Sequence, residues 1–211
     1  MGESSMAWLM ATLYDRFMRP SEEACLGEWR RDLLSGLEGD VLEVGAGTGV
    51  NLAYYPKGVR LVLAEPDRDM AKRLEGRMSG TRHDGTRVDA ADAEALPYPD
   101  ASFDVVVSTL VLCSVARPGR ALEEIGRVLR PGGRLVFIEH VGAEVGSSRR
   151  AWQGRIEPVW KHVAGGCCLT RDTRTSIARA GLTFERIDEE SMRKALPFVR
   201  PSIRGVARKP K

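Results

Sequence analysis

A glycine-rich segment is the strongest chemical signal in this chain of 211 residues. Positions 43–49 read Glu-Val-Gly-Ala-Gly-Thr-Gly, directly after a predicted strand and before a predicted helix. Glycines at this spacing close a tight turn and let a ligand lie against bare backbone, while the next helix offers free N–H groups. The dinucleotide fingerprint would place its third glycine at position 50, which is Val50. With Glu43 ahead of it, the loop favours a nucleotide-like ligand that carries a cationic amino acid rather than a pyrophosphate.

Two further carboxylates follow neighbouring predicted strands. Glu65 comes 20 residues after Gly45, at the end of the second strand, and Asp92 follows the third. A carboxylate at the first place can accept hydrogen bonds from both hydroxyls of a ribose, and open α/β sheets bind ligands at the carboxyl ends of their strands. Taken singly, Glu65 could instead cap a helix or face solvent, and Asp92 could be a helix N-cap ahead of Glu94. Met70 could belong to the core.

The four cysteines indicate neither a metal site nor a redox dithiol. Cys25, Cys113 and the adjacent Cys167 and Cys168 show no C-x-x-C spacing, and His162 gives no standard zinc spacing with the pair. We therefore predict no metal. We interpret the pair as small buried residues in a turn at positions 165–166, since a free cysteine packs as a small hydrophobe. A reducing cytoplasm is the expected setting.

Alternating strand and helix signals position these residues. Strong strand signals cover positions 40–44, 60–65, 86–89, 103–109 and 134–140, and weaker ones cover 184–188 and 203–207. Helical periodicity covers 67–78 and 117–129, and the second helix stops at the Pro-Gly-Gly of positions 131–133. This alternation predicts an α/β protein with a doubly wound parallel sheet that has helices on both faces.

The two ends of the chain complete one predicted domain. Positions 1–38 look helical, with a break at Pro20 and apolar faces that suit a lid over the sheet. Positions 39–140 form the predicted ligand-binding core, and 141–211 form the acceptor side, with an irregular insert at 146–169. No internal repeat or linker divides 1–211 into further domains. The residues that carry the apolar faces are Trp8, Leu9, Leu13 and Phe17 before the break, and Trp29, Leu33, Leu34 and Leu37 after it.

Composition excludes several classes of protein. The net charge of +3 comes from 32 basic and 29 acidic residues, and the excess lies in the last twelve residues rather than in a basic stripe, so no nucleic-acid partner is expected. No segment approaches the roughly 18 apolar residues of a membrane span, and there is no secretory signal. We expect a cytoplasmic monomer or homodimer, with peripheral membrane contact left open.

Residues 40–140 resemble the class I S-adenosylmethionine-dependent methyltransferases in the order and spacing of their motifs. The matching motifs are the loop at 43–49, Glu65 to Met70, the loop at 92–97, Phe103-Asp104, and positions 129–133. The resemblance implies a Rossmann-like, mostly parallel seven-stranded sheet. It also implies S-adenosyl-L-methionine as cofactor and S-adenosyl-L-homocysteine as product. The implied cofactor-binding residues are Glu43, Gly45, Ala46, Gly47, Gly49, Asn51, Glu65, Pro66, Met70, Asp92, Ala93 and Thr109.

A second, more specific resemblance covers about positions 42–209. Segments 109–115, 139–141, 152–153, 157–162, 166–171 and 199–201 are similar to the methyltransferase-like thiol S-methyltransferases of animals. This implies methyl transfer to a small-molecule acceptor, an alkyl thiol or hydrogen sulfide. The apolar membrane anchor that begins the animal proteins has no counterpart in this sequence, so we do not expect their membrane attachment or their acceptor to carry over unchanged.

His140 is the candidate catalytic residue of that chemistry. It ends the fifth predicted strand, and an imidazole titrates in a range suited to taking a thiol proton. A thiol is already partly ionised at neutral pH, so a base assists without being indispensable. His140 could instead only bond backbone and shape the pocket. His83 is expected at the surface, and His162 is a weaker candidate in the insert.

The acceptor side leaves several alternatives open. Trp152 and Trp160, with Trp8 and Tyr14, predict an apolar acceptor cavity as a group, although each could simply pack onto the sheet. The chief enzymatic alternative is N- or O-methylation of a lipid, such as a phosphatidylethanolamine-type acceptor, or of a natural product. The non-enzymatic alternative is a regulatory module that binds the cofactor and methylates nothing.

Overall fold

A seven-stranded sheet carries the molecule. The computed structural model describes residues 15–79 and 85–211. The strands are β1 (Asp40–Val44), β2 (Arg60–Ala64), β3 (Arg87–Asp89), β4 (Phe103–Thr109), β5 (Leu129–His140), β6 (Thr183–Ser191) and β7 (Pro201–Arg208). They follow the order β3-β2-β1-β4-β5-β7-β6. Strands β1 to β5 are parallel to one another, whereas β7 is antiparallel to both β5 and β6.

Helices cover both faces of this sheet. One face packs on α3 (Pro118–Val128) and α5 (Thr173–Arg179) through residues such as Leu122, Phe137 and Ile177. The other packs on α1 (Gly27–Leu34) and α2 (Arg68–Met78) through Leu34 and Leu74. The doubly wound, mostly parallel fold predicted from the sequence is confirmed. The chain also forms helix α4 (Ser148–Val163) and 3-10 turns at Val50–Tyr54 and Pro197–Val199.

Local sequence signals set where helices α2 and α3 begin. Asp67 caps α2, because its side chain accepts hydrogen bonds from the backbone N–H groups of Asp69 and Met70. Pro118 stands in the first turn of α3, where a missing N–H costs nothing. These starts fix the direction in which each chain segment leaves the carboxyl edge of the sheet.

Three predictions of local structure are wrong. The chain does not break at Pro20, because residues 15–21 are helical and continue through a π-helical turn at Glu22–Leu26 into α1. Strand β5 begins at Leu129 rather than at position 134, so the Pro-Gly-Gly segment lies within the strand's bounds. The insert at 146–169 is mostly α4.

Helix α4 tolerates an internal proline because tertiary contacts hold it. Pro158 lies inside the helix, and Ser147 caps its start by accepting from the N–H of Arg150. The side chain of Gln153 is fully buried and bonds to the N–H of Ala143 and the carbonyl of Phe198. Packing thus overrides the low helix propensity of proline.

The predicted lid lies only in part within the described residues. Trp8, Leu9, Leu13 and Tyr14, and also His83, lie outside them. Phe17 is exposed rather than packed on the sheet. Across 15–79 and 85–211, none of the helices has the length and apolar character needed to cross a bilayer.

Candidate functional site

The glycine-rich loop forms a cradle that side chains would fill. Gly45, Gly47 and Gly49 have φ values of 60°, 58° and 83°, a region that L side chains rarely adopt. A Cβ atom on Gly45 would stand 2.5 Å from Cγ2 of Val111, and one on Gly49 would stand 2.6 Å from Cδ1 of Leu74. The loop therefore needs glycine both for its backbone and for its contacts with the segment after β4 and with α2.

A small cavity of about 50 Å³ lies against this loop. Six of the residues that line it were predicted to bind cofactor: Glu43, Gly45, Ala46, Gly47, Asn51 and Thr109. They come from β1, from the loop and the 3-10 turn after it, and from the end of β4. The structure thus brings together residues that the sequence separates by more than sixty positions.

Glu43 is buried at the base of the cavity. Its two carboxylate oxygens accept hydrogen bonds of 2.8 Å, one from Asn51 Nδ2 and one from the Tyr55 hydroxyl. Burial raises the pKa of Glu43 to about 7, although these hydrogen bonds oppose the shift. A cationic group placed in the cavity would favour the ionised form of this carboxyl.

Arg30 completes this polar cluster and was not predicted. Its guanidinium donates to Asn51 Oδ1 at 2.5 Å and to Thr109 Oγ1 at 3.2 Å, and it pairs with Glu22 at 2.8 Å. It lies between Trp29 and Leu33 in the helix sequence, and nothing in its spacing indicates that it reaches the cavity. Arg30 links the N-terminal helices to the end of β4.

Glu65 joins the glycine-rich loop to the start of α2. The residue is 6% exposed. It accepts hydrogen bonds from the N–H of Gly47 at 2.7 Å and of Asp67 at 2.9 Å. Burial raises its pKa, and the two N–H groups oppose the shift. Because the carboxylate is buried against the loop, the alternative in which it faces solvent is wrong.

The remaining predicted residues of the cofactor side lie along the same edge. Pro66 is exposed after β2, and Met70 is half-buried in the first turn of α2, in neither hydrophobic core. Asp92 lies in a turn after β3 and accepts from the N–H of Glu94, while Ala93 is buried. No helix begins at Asp92, so its reading as a helix N-cap is wrong.

His140 lies buried at the end of β5, with one ring nitrogen unpartnered. It is 3% exposed, and its Nδ1 is 3.9 Å from Sγ of Cys167. Its Nε2 is buried and has no hydrogen-bond partner among the described residues. Side chains alternate along a strand, so His140 shares its face with Ile138, which pairs with Thr109 of the cavity. The imidazole therefore stands on the cofactor side of the sheet.

The contact between His140 and Cys167 was not predicted. The pKa of Cys167 falls to about 5, through hydrogen bonding with Cys113 and the nearby imidazole of His140, against the effect of burial. The pKa of Cys113 is raised in turn, by that hydrogen bond and by burial. Gly165 and Gly166 do form the predicted turn, with positive φ, but Cys167 and Cys168 are half-buried there and not buried as predicted. The sequence places these residues far apart, and only the fold reveals their contact.

Glu139 holds the segment after β4 in place. Its buried carboxylate accepts from the backbone N–H groups of residues 111–113 and from the Ser108 hydroxyl at 2.7 Å. Burial raises its pKa. In the same segment Leu110 has a φ of 59°, a strained value for a side chain of its size. The segment runs from Leu110, which lines the cavity, to Cys113, the hydrogen-bond partner of Cys167.

Trp152 does not contribute to the apolar acceptor cavity that the tryptophans predicted. Its side chain is 60% exposed on α4. Trp160 packs edge-on against Phe198 with ring centroids 5.0 Å apart, and its Nε1 is buried with no hydrogen-bond partner in the described part of the chain. His162 is exposed on the same helix. A larger cavity of about 610 Å³ is lined by charged residues such as Arg171 and Glu190, and also by Val141, the residue after His140.

Comparison with known proteins places these observations in a family. Residues 42–137 match the family described as methyltransferase domain. The chain is 39% identical to human thiol S-methyltransferase TMT1B, over 97% of this chain and 86% of that protein. It is 37% identical to human thiol S-methyltransferase TMT1A, over 84% and 77% of the two chains. A methyltransferase structure from Bacillus halodurans superposes with a TM-score of 0.72 at 19% identity, over 89% of this chain and 100% of the other, and confirms the fold.

Proposed function

The chain belongs to the S-adenosylmethionine-dependent methyltransferases, in the family of the thiol S-methyltransferases, and from that premise we propose that it methylates the sulfur of a small alkyl thiol. The observation that carries the proposal is the buried, unpartnered Nε2 of His140, on the same face of the sheet as the glycine-rich cavity. The likeness to thiol S-methyltransferases also spans this acceptor half of the chain.

The residues around the glycine-rich loop fit the cofactor. A cavity against a loop that requires glycine, and a buried carboxylate bonded to that loop, suit a ligand with a nucleoside hydroxyl edge. We assign the loop and the Glu43 cluster to the amino-acid part of the cofactor, and Glu65 to the ribose. The residues assigned to the adenine are Pro66, Met70, Asp92 and Ala93.

S-Adenosylmethionine, when bound, supplies a methyl group already activated on a sulfonium sulfur. The protein then has to hold the acceptor in line and to exclude water, and positioning of this kind contributes up to about 7–11 kcal/mol in ideal cases. His140 takes the acceptor's proton at Nε2. A thiol with a pKa of about 8.5 is only a few per cent ionised at pH 7, so removal of this proton raises the nucleophile concentration by roughly 30-fold at most.

The test measures release of S-adenosylhomocysteine by the purified protein with matched acceptors. The panel contains an alkyl thiol, the amine and the alcohol of the same chain length, hydrogen sulfide, and a phosphatidylethanolamine vesicle. We expect turnover with the thiols alone. Turnover confined to the amine, the alcohol or the lipid would contradict thiol methylation while keeping the methyltransferase. Cofactor binding without turnover on any acceptor would support a binding module.

The same assay tests whether His140 takes part in turnover. His140→Gln should lower turnover at pH 7 while cofactor binding persists. His162→Gln changes an exposed histidine on α4 and is the matched control. Equal effects of the two substitutions would remove His140 from the proposal.

A further inference from the structure

Four chain segments meet around the sulfur of Cys167. The end of β5 carries His140, the segment after β4 carries Cys113, helix α4 carries Trp160, and the turn after α4 carries Cys167. The N–H of Cys168 bonds to the carbonyl of Cys113 at 2.8 Å, and this bond fixes the turn to the segment after β4. A Cβ on Gly166 would stand 2.8 Å from the carbonyl oxygen of Ser114. The turn is therefore packed closely enough to set the place of the Cys167 sulfur.

From this juxtaposition we infer that Cys167 is a positioning residue for His140. Its sulfur stands at Nδ1 of the ring, 3.9 Å away, and directs the Nδ1 proton toward itself. The lone pair of the neutral ring is then on Nε2, the buried nitrogen without a partner. This inference rests on the proposed function, because it names the group that prepares His140 for the acceptor.

The chemistry of the surroundings supports a thiolate partner. The groups that face Cys167 are Cys113, whose hydrogen bond favours the thiolate, His140 itself, and the indole of Trp160. The hydrogen bond with Cys167 and burial raise the pKa of Cys113, and the negative charge of Glu139 adds to the rise, so this second sulfur stays protonated. Arg171 donates to the sulfur of Cys168 at 3.1 Å and to the carbonyls of Leu112 and Val115, so Cys168 has other partners. Because Cys167 is the sulfur that stands 3.9 Å from Nδ1 and its pKa is lowered, we assign the negative charge beside the ring to Cys167.

The proton step balances without another reactant. The S–H bond of the acceptor breaks, its proton bonds to Nε2 of His140, and its electron pair stays on the acceptor sulfur. That sulfur forms a bond to the methyl group, and the electron pair of the broken sulfonium bond stays on the donor sulfur. The positive charge lost by the sulfonium is then on the imidazolium, where the Cys167 thiolate offsets it.

Two other roles for the cluster are weaker. Within 15–79 and 85–211, no three His, Cys, Asp or Glu side chains are arranged as the ligands of a metal ion. None of the four cysteines, all of which lie within the described residues, forms a disulfide. A disulfide between Cys113 and Cys167 would need an oxidant, and a redox role for this pair would contradict the inference.

The experiment compares Cys167→Ala and Cys167→Ser with Cys168→Ser, a neighbour whose sulfur bonds to Gly166 and Arg171 instead of the ring. We expect Cys167→Ala to lower kcat three- to ten-fold at pH 7, with less than a two-fold change in KM for the thiol and in cofactor Kd. The acidic limb of kcat/KM should move to lower pH, because the imidazolium loses its anionic partner. Cys168→Ser should leave these values near those of the native protein.

A second readout needs no turnover. The ¹⁵N resonances of the His140 ring, assigned by comparison with His140→Gln, should show the Nδ1–H tautomer in the native protein. They should show a mixture of tautomers in Cys167→Ala. An unchanged tautomer together with unchanged kcat would overturn the inference, and melting temperatures identify a variant that simply fails to fold, in which case Cys167→Ser decides.

The two readouts distinguish the possible failures. If no thiol is methylated but the tautomer depends on Cys167, the thiol acceptor is wrong and the positioning role stands. If thiols are methylated and the tautomer ignores Cys167, the positioning role is wrong. If reductant alone restores activity in the native protein, and Cys113→Ala and Cys167→Ala lower it equally, the pair is a redox couple and the inference is overturned.

Discussion

The side proposed for the cofactor and the side proposed for the acceptor, called below the cofactor side and the acceptor side, are built in different ways. The cofactor side rests on one short stretch, residues 43–51, with a carboxylate from the next strand bonded to its backbone. The acceptor side combines residues from the segment after β4, the end of β5, α4 and the turn that follows. The first depends on backbone conformation, and the second depends on side chains that only tertiary packing brings together.

This difference assigns separate tasks to the two sides. The cofactor side offers N–H groups, glycine and carboxylates, which bind and orient a ligand. The acceptor side offers an imidazole with a free nitrogen beside a sulfur of low pKa, which can move a proton. We therefore expect substitutions on the first side to change binding, and substitutions on the second to change turnover.

The largest effect should come from Glu65→Ala. The substitution removes the acceptor for the N–H groups of Gly47 and Asp67 and, under the proposed assignment, for the two ribose hydroxyls. Hydrogen bonds to a charged group contribute about 1.5–3 kcal/mol each, so the loss of the two ribose bonds predicts a cofactor Kd weaker by at least about 100-fold, measured by calorimetry. Glu75→Ala, which changes an exposed acid on α2, is the control. Native affinity in Glu65→Ala would break the assignment of this side.

A pH-dependent effect on stability should come from Glu43→Gln. The folded-state pKa of Glu43, about 7, lies above the unfolded value of 4.5, so its contribution favours the folded state below pH 4.5 and is lost as the pH rises to 7. The fall is on the order of 3 kcal/mol in the free energy of unfolding. Urea titrations from pH 4.5 to 8 should show a shallower fall in Glu43→Gln.

Other buried acids should also contribute to the fall in the free energy of unfolding with pH. Burial also raises the pKa values of Glu65 and Glu139, so part of the fall should persist in Glu43→Gln. Glu38→Gln, at an exposed position, should follow the native curve. If Glu43→Gln follows it as well, the carboxyl of Glu43 is not the buried acid that the structure describes.

The smallest effect should come from Asp15→Asn. Asp15 accepts from the Thr48 hydroxyl at 2.8 Å and pairs with Arg77 at 2.5 Å, which ties residues 15–21 to the glycine-rich loop. An exposed pair contributes about 0.2–1 kcal/mol, so cofactor affinity should fall only a few-fold. Limited proteolysis should cut this segment faster, and bound cofactor should slow the cut. Glu23→Gln breaks an exposed pair with Arg19 in the adjoining turn and serves as the control.

The same contrast explains what could be predicted from the sequence. The five parallel strands and the glycine-rich loop depend on contiguous patterns of apolar residues and glycines, and they were predicted. The two weaker strands, β6 and β7, also form, and their antiparallel pairing with β5 completes the sheet. Helix α4 was missed because Gly154 and Pro158 lower its local propensity, whereas Gln153 and Trp160 hold it by packing.

Within the site, local signals again decided what could be predicted. Glu43, Gly45 and Glu65 were predicted from their spacing after strands. Arg30 reaches the cavity from a helix whose pattern is that of an ordinary apolar face, so no local signal marks it. Cys167 was interpreted as a buried turn residue because its contact with His140 spans 27 positions and depends on how α4 packs.

The most direct test of the account is the rate of a single methyl transfer to an alkyl thiol as a function of pH, at saturating cofactor, in the native protein and in His140→Gln. The native rate should exceed that of the variant by about 10- to 30-fold at pH 7, because roughly 3% of a thiol with a pKa of about 8.5 is ionised there without a base. The two rates should converge near pH 9. A ratio that stays constant across this range, or a native rate equal to that of His140→Gln at pH 7, would contradict the account.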